Sequence, residues 1–342
     1  MTTRVKVGIR TVAAEAGVST ATVSQVYNNK GEVAEATRAR VLAVGARLGY
    51  RPDRIGQALR SGRSRVIGVV VSYRDSAVWE QTYMPYYRSI IAGAAIEAVE
   101  HGYSISAAPS SPSGDLETQV PLDGVIVVDP VPHDAIVEQS LANGLAVVTD
   151  GGYETTDAAA RLRSVRSDMA QSVPAMLDHL DAASGGGLRP ALFIGPRHDS
   201  YTDDTIAAYR RWCSEHDVPE AISALAVGET PVDAAGRLLD GAGDRIDAVH
   251  CLNETYSSAL LAAAAERGIR VPDELQVSVA GDARGVGVDP RISYLHLDPV
   301  HSGALCARTL IAMLEAREVH DVVESVTVVP AGVHVGGDVG AP

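Results

Sequence analysis

Thr20, Ala21, Thr22, Ser24, Gln25 and Asn28 are short, uncharged side chains that fall on the outward side of one helical stretch. They suit the reading of DNA: Gln25 can pair bidentately with adenine, Thr20 or Ala21 can meet a thymine methyl, and Thr22, Ser24 and Asn28 can reach phosphate oxygens. The stretch from Val12 to Asn28 must position them. Val12, Ala13 and Ala16 recur at helical spacing, Gly17 breaks that helix, and Ser19 is placed to cap a second one beginning at Thr20. Val23 and Val26 share the inner face with Ala16. The pattern predicts two short helices at a glycine turn, a helix-turn-helix whose second member enters the major groove. The alternative is an ordinary helical hairpin with a polar outer face.

Charge favours the first reading. Residues 1–65 hold twelve Lys and Arg against four Asp and Glu, a net of +8 in a chain whose formal charge is −14, so the remaining 277 residues carry −22. A basic leader on an acidic body fits counterion release from a polyanion at one end and solubility at the other. At 342 residues, 46% of them hydrophobic, the chain can build two or three domains. Cys213, Cys251 and Cys306 are odd in number and widely spaced, so they read as buried thiols in a reducing compartment, with neither a disulfide framework nor a metal site. No apolar run approaches a membrane span and no signal peptide opens the chain, which predicts a cytoplasmic, nucleoid-associated protein without a membrane partner.

A third helix is expected over Ala34 to Gly49, with Val41, Leu42, Val44 and Leu48 on its apolar side and Pro52 preventing continuation. Arg54 to Gly62 is a marginal helix that needs a partner to form. From Arg65 onward β and α segments alternate. Strands are expected at 66–71, 124–128, 145–149, 191–194, 248–252 and 276–280, and helices at 89–100, 134–143, 169–182, 203–215, 257–267 and 302–317. Buried strands separated by crossover helices make parallel sheets, and two doubly wound domains facing each other hold small ligands at the carboxyl ends of their strands.

Catalytic readings find little to rest on. There is no Gly-x-Gly-x-x-Gly after a first strand, no phosphate loop and no nucleophile elbow. Asp203 and Asp204 read as partners of a helix N-terminus, and His179, His250, His296 and His301 as scattered polar or core residues. The expectation is a binder that is no enzyme and uses no cofactor or metal. The open alternatives are a small-molecule or sugar-binding protein, which would need a signal peptide in place of the basic leader, or an enzyme on the same α/β body.

The chain resembles the LacI/GalR family of bacterial transcriptional repressors over nearly its whole length. In the leader the likeness rests on Val12-Ala13, Ala16 to Ser19, Ala21 to Ser24, Asn28-Asn29, Thr37-Arg38, Leu48 to Pro52, Leu59-Arg60 and Ile67-Gly68. In the body it rests on Gly93 to Tyr103, Asp123-Gly124, Asp150, Asn253, Arg267 to Pro272 and Gly303. The resemblance implies an N-terminal helix-turn-helix domain over 1–52, a hinge helix and linker over 53–65, and a periplasmic-binding-protein-like body over 66–342. That body would have two α/β subdomains, about 66–165 plus 298–328 and about 166–297 plus 329–342. It further implies a homodimer or higher oligomer on a pseudo-palindromic double-stranded operator, and a small-molecule effector held between the subdomains. The DNA-contacting set then adds Thr11, Ser19, Tyr50, Arg54 and Gln57, with Leu59 as a minor-groove wedge or else a packing residue of the linker. An apolar wedge kinks the duplex at a cost of a few kcal/mol.

By the same likeness the effector set is Ser72, Tyr73, Trp79, Tyr86, Tyr87, Asp150, Arg197, Thr205, Asn253 and Asp282. Thr205 stands where the family offers an arginine, Thr230 lies nearest a lost sugar-stacking aromatic, and the usual Asn-Asp pair is Asn253-Glu254. The aspartate after the strand at 276–280 falls at Gly281 or, with a one-residue slip, Asp282. The segment from Ser72 to Pro85 is longer than the family pattern and brings Tyr73, Arg74, Trp79 and Tyr83, followed by a turn at Pro85 to Tyr87. These aromatics either line a pocket for a flatter effector than a simple hexose or pack on their own domain. Between Ser104 and Leu122 the chain is shorter than the pattern, so a helix there is expected to be trimmed or absent.

Overall fold

The computed structural model describes residues 7–27, 31–50, 63–72, 84–107, 114–116, 120–154, 160–196, 199–226, 228–242, 246–285 and 288–333. The chain divides into two compact units, residues 1–65 and 66–342.

In the first unit α1 (Ile9–Ala16), α2 (Thr20–Tyr27) and α3 (Glu35–Leu48) enclose a small core of Val12, Ala13, Ala16, Val23, Val26 and Val41. Gly17 ends α1 because it adopts φ 63°, ψ 41°, and its N–H closes onto the carbonyls of Ala13 and Ala14. Ser19 then accepts the Thr22 N–H at 3.0 Å, supplying the cap predicted for α2. Of the apolar residues assigned to α3, Leu42 is a correction. Val41 and Gly45, one helical turn apart, face the core, which turns Leu42 outward to 43% exposure.

The second unit contains two six-stranded sheets. The first comprises β1 (Val66–Val71), β2 (Ser104–Ala107), β3 (Gly124–Val128), β4 (Ala146–Asp150), β5 (Leu162–Ser167) and β11 (Val322–Glu324), in the order β11-β5-β4-β3-β1-β2. The second comprises β6 (Pro190–Ile194), β7 (Ile222–Ala224), β8 (Ala248–Cys251), β9 (Gln276–Gly281), β10 (Ser293–His296) and β12 (Thr327–Val329), in the order β12-β10-β9-β8-β6-β7. Strands in each sheet run parallel except β12, which is antiparallel to β10. The register pairs Val128 with Asp150 and thereby sets the carboxyl ends of β3 and β4 side by side.

Helices cover both sheets: α4 (Met84–Glu100), α5 (Ala135–Ala142) and α10 (Pro299–Leu314) with the first, α6 (Met169–Ser184), α7 (Ser200–Glu215), α8 (Pro231–Ala242) and α9 (Glu254–Glu266) with the second. Four of them begin earlier than predicted, at Met84, Ser200, Glu254 and Pro299, and α8 was not anticipated. The residues Pro85 to Tyr87, read as a turn, form the first turn of α4. Most of the segment between β2 and Leu122, where a helix was expected to be trimmed or absent, lies outside the described residues.

Helices α4 and α10 approach closely because each offers a glycine at the contact. A Cβ on Gly93 would lie 1.9 Å from the Val300 carbonyl oxygen, and one on Gly303 2.0 Å from that of Ile90. The chain passes between the two halves of the unit three times, after β5, after β10 and after β11. Glu324 ties these passages together. Its carbonyl accepts the Asp168 N–H at 2.8 Å, and its carboxylate accepts the Ser302 hydroxyl at 2.9 Å. The three cysteines are free and buried, as their spacing implied. No helix among the described residues is long and apolar enough to cross a membrane.

Candidate functional site

On α2 the exposed residues are Thr20, Ala21 and Gln25, with Thr22 and Ser24 partly covered and Ser19 exposed at the cap. Thr11 is exposed on α1. The Thr22 hydroxyl is 2.9 Å from that of Ser19, so part of its hydrogen-bonding capacity is used within the turn. Tyr50 packs its ring edge-on against Tyr27, centroids 5.2 Å apart at 76°, on the rim of the small core. Arg38 donates to the Val26 carbonyl at 3.4 Å near the end of α2, satisfying a terminal acceptor with a cation as a helix C-terminus favours. Arg10 and Arg40 add exposed positive charge to the unit. Asn28, Arg54, Gln57 and Leu59 lie outside the described residues.

The second unit has a cavity of about 1150 Å³ at the carboxyl ends of strands from both sheets. Such ends are the natural ligand position of doubly wound sheets, since loops and helix N-termini converge there. From the first sheet come Tyr86, Asp129 and Asp150, and from the second Tyr201, Asn253 and Asp282. Asp150 is the last residue of β4 and only 7% exposed, and its Oδ2 has no hydrogen-bond partner. Burial pushes its pKa well above the aspartate range, helped by the negative charges of Asp129 and Glu324. The Asp129 carboxylate accepts the Tyr87 hydroxyl at 2.8 Å, and its N–H donates to the Asp150 carbonyl at 2.9 Å.

The opposite wall is held by capping bonds. Asn253 Oδ1 accepts the N–H groups of Thr255 and Tyr256 at 3.0 and 3.2 Å, which starts α9 and leaves its buried Nδ2 without a partner. Asp199 accepts the Thr202 N–H at 2.8 Å and starts α7. Glu254 occupies the space beside Gly281: its Oε1 would be 2.3 Å from a Cβ there, and it accepts the Asp282 N–H at 2.9 Å. The acid expected at the end of β9 is therefore supplied in part from the start of α9. His296 accepts the Ala283 N–H through Nδ1 at 3.1 Å, and burial, then Arg284, lowers its pKa. His250 is fully buried behind the wall, its Nδ1 2.9 Å from the Ser278 hydroxyl, and burial lowers its pKa to about 4.

Of the predicted effector residues, Tyr86, Asp150, Asn253 and Asp282 lie on the cavity wall. Three do not. Ser72 is buried and donates its hydroxyl to Asp134, and Tyr87 is buried behind Asp129. Thr205 is fully buried and donates to the Tyr201 carbonyl at 2.8 Å. The reason is helix register: Asp199 caps α7, so the helix starts at Ser200 and Thr205 turns inward, while Tyr201 and Asp204 face the cavity. Tyr73, Trp79 and Arg197 lie outside the described residues, as do Arg74 and Tyr83. Sequence reasoning missed Asp129, Asp199 and Tyr201. The one available signal was the aspartate three residues before Thr202, an N-cap spacing.

Two family descriptions match the chain, one in each unit. Residues 8–53 match the family described as bacterial regulatory proteins, lacI family, and residues 180–337 match the periplasmic binding protein-like domain. Catabolite control protein A of Priestia megaterium is 24% identical over 318 residues, 89% of this chain and 91% of that protein. The HTH-type transcriptional regulator PtxS of Pseudomonas plecoglossicida is 32% identical over 217 residues, 60% of this chain and 59% of that one. The lac repressor dimer bound to operator and the anti-inducer ONPF superposes with a TM-score of 0.73 at 19% identity, covering 96% of this chain and 99% of that one. At that identity the likeness is one of fold.

Proposed function

Because the chain belongs to the LacI family of bacterial regulatory proteins, we propose that it represses transcription from a pseudo-palindromic operator, bound as a dimer, under the control of a small molecule held in the cavity. The observation that carries this reading is the presence in one chain of a capped, uncharged, exposed reading helix and a cavity walled by both halves of an α/β body. Relatives named as repressors, such as PurR of Photobacterium profundum, 25% identical over 289 residues, support the direction of control. Effector binding changes the relative orientation of the two halves and so alters operator affinity, through unequal affinity for two states. The regulator acts in the cytoplasm, at the nucleoid. Its effector is other than a simple hexose, in keeping with Glu254 on the cavity wall where the family pattern has an aspartate.

A shift assay with labelled DNA from upstream of the chain's own gene tests the reading. Salt-sensitive, sequence-selective binding is expected. Gln25→Ala should cost about 1 to 3 kcal/mol, confined to one base pair of each half-site. A uniform loss across all sequences would reassign Gln25 to phosphate, and absence of selective binding with and without cell metabolites would defeat the proposal.

A further inference from the structure

The described wall of the cavity carries seven carboxylates, Asp129, Asp150, Asp199, Asp204, Glu254, Asp282 and Asp289, against two guanidinium groups, Arg88 and Arg166. Most of the acids have work within the fold. Asp289 is paired with Arg291 at 2.6 and 3.0 Å, Asp199 caps α7, and Asp282 accepts the Arg284 N–H at 2.9 Å. Asp150 has none for its Oδ2, although it is more than nine-tenths buried. An acid in that setting is costly to ionise, and the neighbouring Asp129 and Glu324 increase the cost. Arg88 and Arg166 are both exposed and neither bonds to it.

We propose that the effector is an organic cation, a small molecule bearing a protonated amine or comparable group that seats on Asp150 with Asp129 beside it. This rests on the reading of the cavity as the effector site. A positive group beside the carboxylate lets Asp150 ionise, so ligand charge and side-chain charge stabilise each other where water is largely excluded. Tyr86 and Tyr201 line the same cavity, and both feel the charge of Asp129. Aromatic rings on the wall suit a cation better than a neutral polyol. Among the described residues no group of three His, Cys, Asp or Glu is gathered as a metal site, which directs the cavity to an organic ion.

Matched probes test this on the full chain by titration calorimetry: glucosamine against glucose, and 1,4-diaminobutane against 1,4-butanediol. At least one amine is expected to bind about tenfold or more tightly than its neutral partner, and Asp150→Asn to erase that preference. Circular dichroism melting checks that the variant is folded. Equal or tighter binding of the neutral partners, no binding by either amine, or a preference that survives Asp150→Asn overturns the cation. Neutral binding that depends on Asp150 would do so while leaving the cavity as the effector site. Operator binding that no probe or cell metabolite extract alters would defeat the effector reading itself.

Discussion

Two buried aspartates stand in adjacent segments of the first sheet and are treated in opposite ways. Asp134, in the segment after β3, is fully buried: its carboxylate accepts the N–H groups of Val131 and Ile136 at 3.2 and 2.9 Å and the hydroxyl of Ser72. Asp150, at the end of β4, is nearly as buried, yet one carboxylate oxygen meets nothing. Asp134 fastens β1, the turn after β3 and the start of α5. Asp150 lines the cavity, and its Oδ2 fastens nothing. Burial alone therefore does not separate structural acids from functional ones. The number of bonds already satisfied does.

Opposite signs under substitution make that contrast testable. Asp134→Ala leaves two N–H groups and a hydroxyl without their acceptor and should destabilise the body by about 2 to 4 kcal/mol in urea titration. Asp150→Asn should instead stabilise it, by about 0.5 to 2 kcal/mol at neutral pH. Because the folded pKa of Asp150 is raised, both states are protonated below the ordinary value of 3.8 and the substitution changes little there. As the pH rises through that value the unfolded chain ionises first, so the native protein loses stability that the Asn variant keeps. A gain that persists unchanged at pH 3 would contradict the assignment. Across the cavity, Asn253→Ala removes the α9 cap and should cost about 1 kcal/mol, read as a lower melting temperature at every pH. A neutral result there would mean that the second wall also carries polar groups held for ligand rather than for fold.

The reading unit was legible because its code is local: Val12, Ala13, Ala16, Gly17 and Ser19 lie in the same short stretch, residues 12–28, as the residues they position. The central strands were legible for a similar reason, since β1 and β3 are unbroken apolar runs buried on both faces. Edge strands were not. Strands β7, β11 and β12 have three residues each, so no run announces them, and β5, inside the first sheet, interrupts its apolar positions with Arg163 and Arg166. Asp150 and Asn253 were located by likeness to a family, whereas Asp129 and Tyr201 reach the cavity only through strand order and the start of α7. Thr205 failed because a helix that begins at Ser200, three residues before its expected start, presents a different face. Part of the pocket's chemistry belongs to topology rather than to any segment.

The three passages between the halves of the body also decide how the molecule comes apart. A single proteolytic nick in any one of them leaves the halves joined by two others and by the bonds to Glu324, so a nicked body stays one particle. The first unit is joined to the second by one covalent passage, near residue 65. A single cut within the body thus never yields half a cavity.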